Sequence, residues 1–223
     1  MTSTTTVQVE AQAFLFDMDG VLISSLGSAV RCWRRWAAIY GIPDAENFEL
    51  PHGVPARDII RSLRPDVDQD EALRVIEDLE IDDVSDLVVL PGVDHLLRSL
   101  PPERWTIVTS CTRRLADARL QAAGLPLPPA MITADMVNRG KPDPEPYRRG
   151  AELLGFATAD CIVVEDAASG VAAGAGAGCR VLAVLSSTPA EELRAATWIA
   201  QSLNGVQAFL SESGLQVHLP IVG

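Results

Sequence analysis

Two carboxylates stand two residues apart near the start of the chain. Asp17 and Asp19 follow the apolar segment Ala13–Phe16 and precede Gly20. Side chains at positions i and i+2 of an extended segment project toward the same side, so both carboxylates can reach one ligand. Gly20 permits a sharp turn away from the strand after them. A solvated Asp-x-Asp-Gly turn is the alternative interpretation of this segment taken alone.

A second acidic pair, Glu165 and Asp166, follows another apolar segment, Ile162–Val164. Like charges this close together are unfavourable unless a cation lies between them or a proton binds. Together with Asp17 and Asp19, this pair would form a cluster of oxygen ligands, which is the set that Mg²⁺ prefers. The four acids therefore predict a magnesium site.

Two further segments could bind phosphate. Thr109 and Ser110 follow the apolar segment Trp105–Val108, and their hydroxyl and backbone N–H groups suit a phosphate oxygen at the start of the next helix. A helix N-cap is the alternative role for this pair. Lys141 lies in a tight loop bounded by glycine and proline, so its position is held. It could balance the carboxylates and bind a phosphate, although a lone lysine is usually a solvated surface residue.

These polar residues lie at or near the ends of segments that have the pattern of buried parallel strands. Continuous apolar runs, without polar alternation, are typical of strands covered on both faces. The runs are Ala13–Phe16, Trp105–Thr109, Cys161–Glu165 and Arg180–Leu185, with shorter candidates at Ala130–Thr133 and Trp198–Ala200. Helical patterns alternate with them, at Arg113–Ala123, Pro144–Leu154 and the small-residue segment 167–178.

This alternation predicts an α/β fold with a doubly wound, Rossmann-like parallel sheet that is covered by helices on both faces. In an open sheet of this kind, the carboxyl ends of the strands form the ligand crevice. The acidic pairs, the Thr-Ser pair and Lys141 all fall at strand ends or in the loops beside them. We therefore expect the fold to bring them together.

The stretch from residue 26 to residue 90 differs from the rest of the chain. It contains three amphipathic helical segments, at 28–40, 56–64 and 69–79, and no convincing strand. The Pro-Gly pair that begins at Pro91 marks the return to the α/β pattern. We predict a catalytic core formed by residues 1–25 and 91–223, interrupted by a helical insert of residues 26–90.

The charge of the chain limits its partners. Its 223 residues include 18 Lys+Arg and 30 Asp+Glu, which gives a net charge of −12 at pH 7. Nucleic acids and anionic membranes both require a basic face, so we expect neither as a partner. A protein this acidic needs a metal or a local cation to bind an anionic substrate. The acidic pairs and Lys141 could provide both.

The remaining features favour a cytoplasmic protein. The 4 cysteines lie far apart and lack the spacing of a zinc site. The N-terminus lacks the basic and apolar regions of a signal peptide, and no apolar run approaches the roughly 18 residues of a membrane span. We expect a cytoplasmic monomer with reduced thiols and a frayed polar N-terminal tail of about 8 residues.

At this point the chain resembles the phosphohydrolases of the haloacid dehalogenase superfamily. The motifs occur in the family's order: Asp17-x-Asp19-Gly20, then Thr109, then Lys141 in Gly-Lys-Pro-x-Pro-Glu-Pro-Tyr, then Glu165-Asp166 followed by Ala-x-x-Gly-x-x-Ala-Gly. The resemblance covers about residues 12 to 210, and the insert resembles the family's helical cap of the C1 type. The finer resemblance is to sugar-phosphate and polyol-phosphate phosphatases, such as glycerol-phosphate and 2-deoxyglucose-6-phosphate phosphatases. The stretches that support it are 51–54, 108–113 and 132–142.

The resemblance implies a role for each motif. Asp17 is expected to be the nucleophile and to form an aspartyl-phosphate, with Asp19 as general acid and base. The expected Mg²⁺ ligands are Asp17, the backbone carbonyl of Asp19, Asp166 and, directly or through water, Glu165. Thr109, Ser110 and Lys141 are expected to bind the phosphate oxygens, and His52, Gly53, Val54 and Arg57 of the insert to contact the sugar.

Two positions depart from the family pattern. Where many relatives have Asp, this chain has Ile23-Ser24-Ser25, which removes an acid near the hinge of the insert. Ala29 falls about where the related β-phosphoglucomutase has a functional His. A mutase must keep its phosphoenzyme from water, so the loss of this polar group favours a hydrolase.

Three alternatives remain open at this level. A β-phosphoglucomutase-like hexose-phosphate mutase is the nearest one. A dehalogenase is disfavoured because Asp19 and the acidic cluster have no use when a halide leaves. A phosphoacceptor receiver domain combines similar groups around Mg²⁺, but it places the acceptor in the middle of its chain and has no helical insert. Here the candidate acceptor is at position 17.

Overall fold

The computed structural model describes residues 4–51 and 54–222. The strands are β1 Thr4–Ala11, β2 Ala13–Phe16, β3 Ile23–Ser24, β4 Val88–Val89, β5 Trp105–Ile107, β6 Cys161–Glu165, β7 Arg180–Val184, β8 Trp198–Ala200, β9 Gln207–Ser211 and β10 Gly214–Val222. The helices are α1 Leu26–Ile39, α2 Ala56–Leu63, α3 Gln69–Asp82, α4 Val93–Ser99, α5 Arg113–Ala123, α6 Glu145–Leu154 and α7 Ala168–Gly176. Five short 3₁₀ turns lie between these elements in the described ranges.

The centre of the fold is a five-stranded parallel sheet in the order β5-β2-β6-β7-β8. Alternate residues of its strands face two separate apolar clusters. Phe14 and Phe16 of β2 pack with residues of α4 and α5 on one face, and Ala13 and Leu15 pack with residues of α6 and α7 on the other. The predicted doubly wound sheet with helices on both faces is therefore confirmed.

The small-residue segment 167–178 forms a helix, as predicted. Its glycines allow α7 to lie close to the sheet, since a Cβ atom on Gly174 would stand 3.0 Å from the side chains of Val163 and Val181. A Cβ atom on Gly170 would overlap the Glu165 carboxylate. The helix thus lies against the end of β6 at a distance that only glycine permits.

The helical insert contains α1, α2 and α3, whose ends lie within three residues of those of the predicted helical segments. These helices have their own apolar cluster, which includes Trp33, Trp36, Ile60 and Ile76. Strands β3 and β4 pair with each other where the chain leaves and re-enters the core. The expectation of no strand in residues 26–90 was therefore wrong for Val88–Val89, whose two residues are too short a run to show a strand pattern. A division at residues 25 and 91 remains a prediction.

The N-terminal residues differ from the expectation of a frayed tail. Thr4–Ala11 forms β1, which pairs antiparallel with β10 in a three-stranded sheet of order β1-β10-β9. Val7, Val9 and Ala11 alternate with polar residues, which is the pattern of a strand with one covered face. They lie opposite Leu219, Val217 and Leu215 of β10. From residue 4 on the prediction was wrong, because the pairing partner lies some 200 residues away in the sequence; residues 1–3 lie outside the described residues.

The candidate strand at Ala130–Thr133 is not formed. This segment contributes a single bridge between Ile132 and Val108.

The longest helices, α1 and α3, have 14 residues each, and none in the ranges 4–51 and 54–222 combines the length and apolar character that a membrane crossing needs.

Candidate active site

Acidic side chains from two adjacent strands meet at the carboxyl edge of the parallel sheet. Asp17 follows β2, Glu165 ends β6, and Asp166 follows it. Carboxylate oxygens of these three residues lie within 4.8 Å of one another, and all three side chains are buried. They line a cavity of about 890 Å³ between the sheet and the helical insert. The structure thus brings together three of the four acids that the sequence singled out.

Lys141 is the cation of this cluster. Its Nζ donates to Asp17 Oδ1 at 2.6 Å, to Glu165 Oε1 at 2.7 Å and to the Val108 carbonyl at 3.0 Å. The side chain is only 3% exposed. Burial opposes the charge on Lys141, but the carboxylates of Asp17 and Glu165 outweigh it and raise the pKa of the ammonium group. Lys141 is therefore a fixed positive charge.

Glu165 has hydrogen bonds to both of its carboxylate oxygens. Oε1 accepts from Lys141 and from the hydroxyl of Tyr147 at 2.7 Å. Oε2 accepts from the backbone N–H groups of Asp166 at 3.0 Å and Ala167 at 3.2 Å. These four hydrogen bonds fix the orientation of the Glu165 carboxylate, which in turn positions the Lys141 ammonium group against Asp17.

The other two acids lack comparable compensation. Burial raises the pKa of Asp17 well above its usual value, against the opposing effect of Lys141, and Glu165 and Asp166 raise it further. Burial and the Glu165 charge raise the pKa of Asp166 to about 7, although the hydroxyls of Ser186 and Ser187 bond to it. Three buried carboxylates thus share one ammonium group. A divalent cation held by oxygen ligands would offset the remaining repulsion, so this donor set fits Mg²⁺.

Asp19 is held apart from the three-acid cluster. Its Oδ1 accepts from the Ser25 hydroxyl at 2.5 Å, and its Oδ2 accepts from Arg119 Nη1 at 2.9 Å. The Cys111 thiol also donates to Oδ2 at 3.2 Å. Asp19 is 28% exposed and lines the cavity with Asp17. Its carboxylate therefore faces the cavity in a fixed orientation.

Gly20 explains how the loop after β2 comes so close to Asp166. Its φ of +84° lies in the left-handed region, and a Cβ atom at this position would overlap the Asp166 carboxylate. Only glycine meets both conditions without strain. The turn that the sequence suggested is therefore required by the site itself.

Thr109 and Ser110 line the same cavity, beside the three acids. Thr109 is buried, and its hydroxyl accepts from the Cys111 N–H at 3.1 Å. The N-cap position of α5 is Thr112, two residues beyond Ser110. The N-cap alternative for Thr109 and Ser110 is therefore wrong.

The predicted sugar-contacting residues of the insert have different outcomes. His52 and Gly53 lie outside the described residues. Val54 is exposed and lines the cavity. Arg57 also lines the cavity, and its guanidinium pairs with Asp70 at 2.8 Å. These placements leave the roles of Val54 and Arg57 as predictions.

Two charged residues of the site were not found from the sequence, Arg119 of α5 and Glu80 of α3. Both are buried and pair at 3.3 Å across the boundary between core and insert. Burial raises the pKa of Glu80 to about 7, against the lowering effect of Arg119. Arg119 shares the buried face of α5 with Leu115 and Leu120. A charged residue on an apolar helix face was the signal that could have revealed it.

Comparisons with known proteins agree with this geometry. The family model described as haloacid dehalogenase-like hydrolase matches residues 11–178. The chain is 36% identical to hexitol phosphatase A of Escherichia coli strain K12, over 92% of this chain and 98% of that protein. It is 32% identical to glycerol-1-phosphate phosphohydrolase 2 of Saccharomyces cerevisiae, over 83% of this chain and 79% of that protein.

A comparison of folds points the same way. The crystal structure of β-phosphoglucomutase from Clostridium difficile superposes with a TM-score of 0.72 at 22% identity, over 88% of this chain and 93% of that one. At this identity the likeness concerns the fold alone. The match of the family model extends over most of the chain and includes Asp17, Thr109, Lys141 and Asp166. With the identity to the two phosphatases, it establishes that this chain belongs to the haloacid dehalogenase-like hydrolase family.

Proposed function

We propose that this enzyme is a Mg²⁺-dependent phosphomonoester hydrolase that acts on sugar or polyol phosphates of the hexose 6-phosphate type through an aspartyl-phosphate. One observation carries the proposal. Lys141 joins Asp17 to Glu165 inside a buried group of three acids, and this group lies at the base of a cavity large enough for a small substrate. Well-packed apolar residues in place of a buried ion pair are often equally or more stabilising, so a buried charged group at a cavity points to a function.

Asp17 is the proposed nucleophile. One of its carboxylate oxygens forms a bond to phosphorus as the bond between phosphorus and the substrate oxygen breaks. Lys141 holds Oδ1 at 2.6 Å, which fixes the direction of the other oxygen. Water then attacks phosphorus, the Asp17–phosphorus bond breaks, and the carboxylate is restored.

Asp19 is the proposed general acid and base. It gives its proton to the departing substrate oxygen in the first half-reaction, and takes a proton from the attacking water in the second. The contacts to Ser25 and Arg119 fix the orientation of its carboxylate in the cavity that Asp17 also lines. The serine at position 25, in the segment where relatives have an acid, thus has a defined role.

Asp17, Asp166 and the backbone carbonyl of Asp19 would hold Mg²⁺. Bound there, the ion would reduce the repulsion between carboxylate and phosphate. Glu165 remains a candidate ligand, but both of its oxygens already accept hydrogen bonds. We therefore assign Glu165 first to the orientation of Lys141. Thr109, Ser110 and Lys141 are the proposed partners of the phosphate oxygens, where charge concentrates during phosphoryl transfer.

The helical insert is the proposed cap domain and the source of substrate selection. It covers the cavity opposite the acids, and residues of α1, α2 and α3 line it. His52, Gly53, Val54 and Arg57 are the proposed sugar contacts. We also propose that the protein is a cytoplasmic monomer.

The test is phosphate release from a panel of sugar and polyol phosphates, with Mg²⁺ and with EDTA. The panel contains glucose 6-phosphate, 2-deoxyglucose 6-phosphate, sorbitol 6-phosphate, glycerol 1-phosphate and β-glucose 1-phosphate. We expect release that requires Mg²⁺, and its loss in Asp17→Asn. A thermal unfolding assay without substrate should show stabilisation by Mg²⁺ that Asp166→Asn removes.

Two outcomes would contradict the proposal. Appreciable turnover by Asp17→Asn would exclude Asp17 as nucleophile. Isomerised sugar phosphate from β-glucose 1-phosphate, without phosphate release, would favour the mutase alternative. Ala29, buried in the cavity wall where a mutase has a functional His, argues for the hydrolase.

A further inference from the structure

We propose that Arg119 is a positioning residue for Asp19, and that it links the general acid and base to the helical insert through Glu80. The proposal rests on the hydrolase function proposed above. Arg119 lies on α5, in the core, and its side chain is only 5% exposed. Within residues 4–51 and 54–222 its guanidinium contacts Asp19, Cys111 and Glu80, and neither the three-acid cluster nor Lys141, so its route to the reacting groups is Asp19.

The guanidinium group divides its contacts between the two parts of the molecule. Nη1 donates to Asp19 Oδ2 at 2.9 Å, and Nη2 lies 3.3 Å from Glu80 Oε1. Glu80 belongs to α3 of the insert, and its side chain is 6% exposed. A planar guanidinium can hold two carboxylates in a fixed relation, which a lysine ammonium on a flexible chain cannot do as well.

This arrangement determines the orientation of Asp19. Ser25 bonds to one carboxylate oxygen and Arg119 to the other, so the plane of the carboxylate is fixed from both sides. Asp19 must first protonate the departing substrate oxygen and then accept a proton from water. Both proton transfers depend on the orientation of that plane. Ser25 immediately precedes α1, and Arg119 reaches α3 through Glu80, so two of the three partners of Asp19 connect it to the insert; the third is the Cys111 thiol. A displaced insert would therefore misorient the general acid and base.

A second arginine offers a matched control. Arg114 also lies on α5, and it pairs with Asp78 and, at 3.5 Å, with Glu77 of α3. It thus joins core and insert as Arg119 does. However, Arg114 is half exposed and does not contact Asp19. A comparison of Arg119→Met with Arg114→Met separates the positioning of Asp19 from the general attachment of the insert.

The experiment compares two substrates whose leaving groups differ in whether they require protonation. The departing oxygen of an alkyl phosphate needs a proton, whereas p-nitrophenolate leaves without one. For Arg119→Met we expect kcat/KM to fall by about 10²-fold with the best alkyl phosphate of the panel and to change little with p-nitrophenyl phosphate. Water attack still needs Asp19, so kcat for p-nitrophenyl phosphate should fall. A burst of about one nitrophenol per enzyme should then precede the slower steady state.

A double variant can replace the single variant if Arg119→Met proves too unstable to assay. Arg119→Met leaves Glu80 as a buried acid without its cation, which is costly. Arg119→Met/Glu80→Gln removes that charge but still leaves Asp19 without its guanidinium partner. We expect it to regain stability and to retain the leaving-group dependence and the burst. Arg119→Lys should recover part of the loss, and Arg114→Met should show the wild-type ratio between the two substrates.

The outcomes distinguish this proposal from the proposed function. If the wild-type protein hydrolyses neither substrate, the hydrolase function is wrong. If it hydrolyses both and Arg119→Met loses the same factor with each and shows no burst, Arg119 has only a structural role. Full recovery of activity in the double variant would overturn the proposal in the same way.

Discussion

At the scale of single residues, the site depends on the chain's only lysine. The other side chains counted as Lys+Arg are all arginine. Lys141 donates to Asp17, Glu165 and the Val108 carbonyl from one nitrogen atom. A compact ammonium group can approach three acceptors that surround it, whereas a planar guanidinium presents its donors in a wide fork. The position therefore requires lysine and not merely a positive charge.

This requirement gives a prediction for Lys141→Arg. We expect the larger group to displace Asp17 or Glu165 and phosphate release to fall by at least about 10²-fold, because the nucleophile loses its alignment. Arg139→Lys is the control, since Arg139 lies in the same loop with its side chain 77% exposed. It should keep wild-type activity. Near-normal phosphate release by Lys141→Arg would show that the charge alone suffices.

The residues that the sequence revealed share one property. Asp17, Lys141 and Asp166 are polar residues at strand ends or in loops, where local pattern separates them from apolar neighbours. Arg119 and Glu80 lie inside amphipathic helices, where charged residues are common and normally face water. Their burial depends on how α3 meets α5, and this contact between distant segments is not visible in local sequence.

At the scale of elements, α7 sets the position of the acid cluster. The glycines of this helix look unfavourable in sequence, since each costs about 1 kcal/mol relative to alanine in a helix interior. The structure gives the compensation, because a side chain at Gly170 would occupy the space of the Glu165 carboxylate. The glycines lower the intrinsic stability of α7, and in return they allow the helix to pack closely against the end of β6.

Gly170→Ala should therefore destabilise the protein, whereas Gly176→Ala should not. Gly170→Ala should lower the free energy of unfolding by about 1–3 kcal/mol through overpacking and reduce phosphate release, because Glu165 must move away from Lys141. At Gly176, the nearest atom to an added Cβ is Pro144 Cβ at 3.7 Å, an ordinary contact. Gly176→Ala should be neutral or gain up to about 1 kcal/mol. Urea denaturation and phosphate release measure both effects, and equal outcomes would contradict this account of α7.

Elements also mark the limit of what the sequence revealed. The parallel strands and α5 were predicted within one or two residues, because buried runs and a terminal glycine are local signals. The pairing of β1 with β10 joins the two ends of the chain. A short alternating segment at a terminus indicates a strand only when its partner is known, and no local pattern supplies that partner.

At the scale of the whole molecule, the boundary between core and insert contains a buried charged group that responds to pH. Arg119, Asp19 and Glu77 are the charged neighbours of Glu80, from α5, from the loop after β2 and from α3 itself. The two parts of the molecule thus meet through charges as well as through apolar contacts. The apolar cluster of α1, α2 and α3 is separate from those of the core, and Leu87, Val89 and Leu90 at the end of the insert pack on the core.

The sign of the pH dependence follows from Glu80. Its pKa rises from 4.5 to about 7 on folding, so the folded protein binds this proton more tightly than the unfolded chain. The resulting stabilisation is complete below about pH 4.5 and is lost as the pH rises through 7. It corresponds to about 3 kcal/mol, since each unit is worth about 1.4 kcal/mol. Glu80→Gln cannot lose a proton and should escape this decline.

We therefore expect Glu80→Gln to gain stability relative to the wild-type protein between pH 5 and pH 8. Urea denaturation at pH 5, 6, 7 and 8, with EDTA present, gives the difference in the free energy of unfolding at each pH. Glu71→Gln, an exposed change on the same helix, should give a difference that stays nearly constant. If the Glu80→Gln difference is equally flat, Glu80 is ionised throughout and its pair with Arg119 is an ordinary salt bridge. A rising difference would mean that the folded protein is most stable while Glu80 keeps its proton, and that the buried charge at the boundary between core and insert lowers the free energy of unfolding as the pH increases.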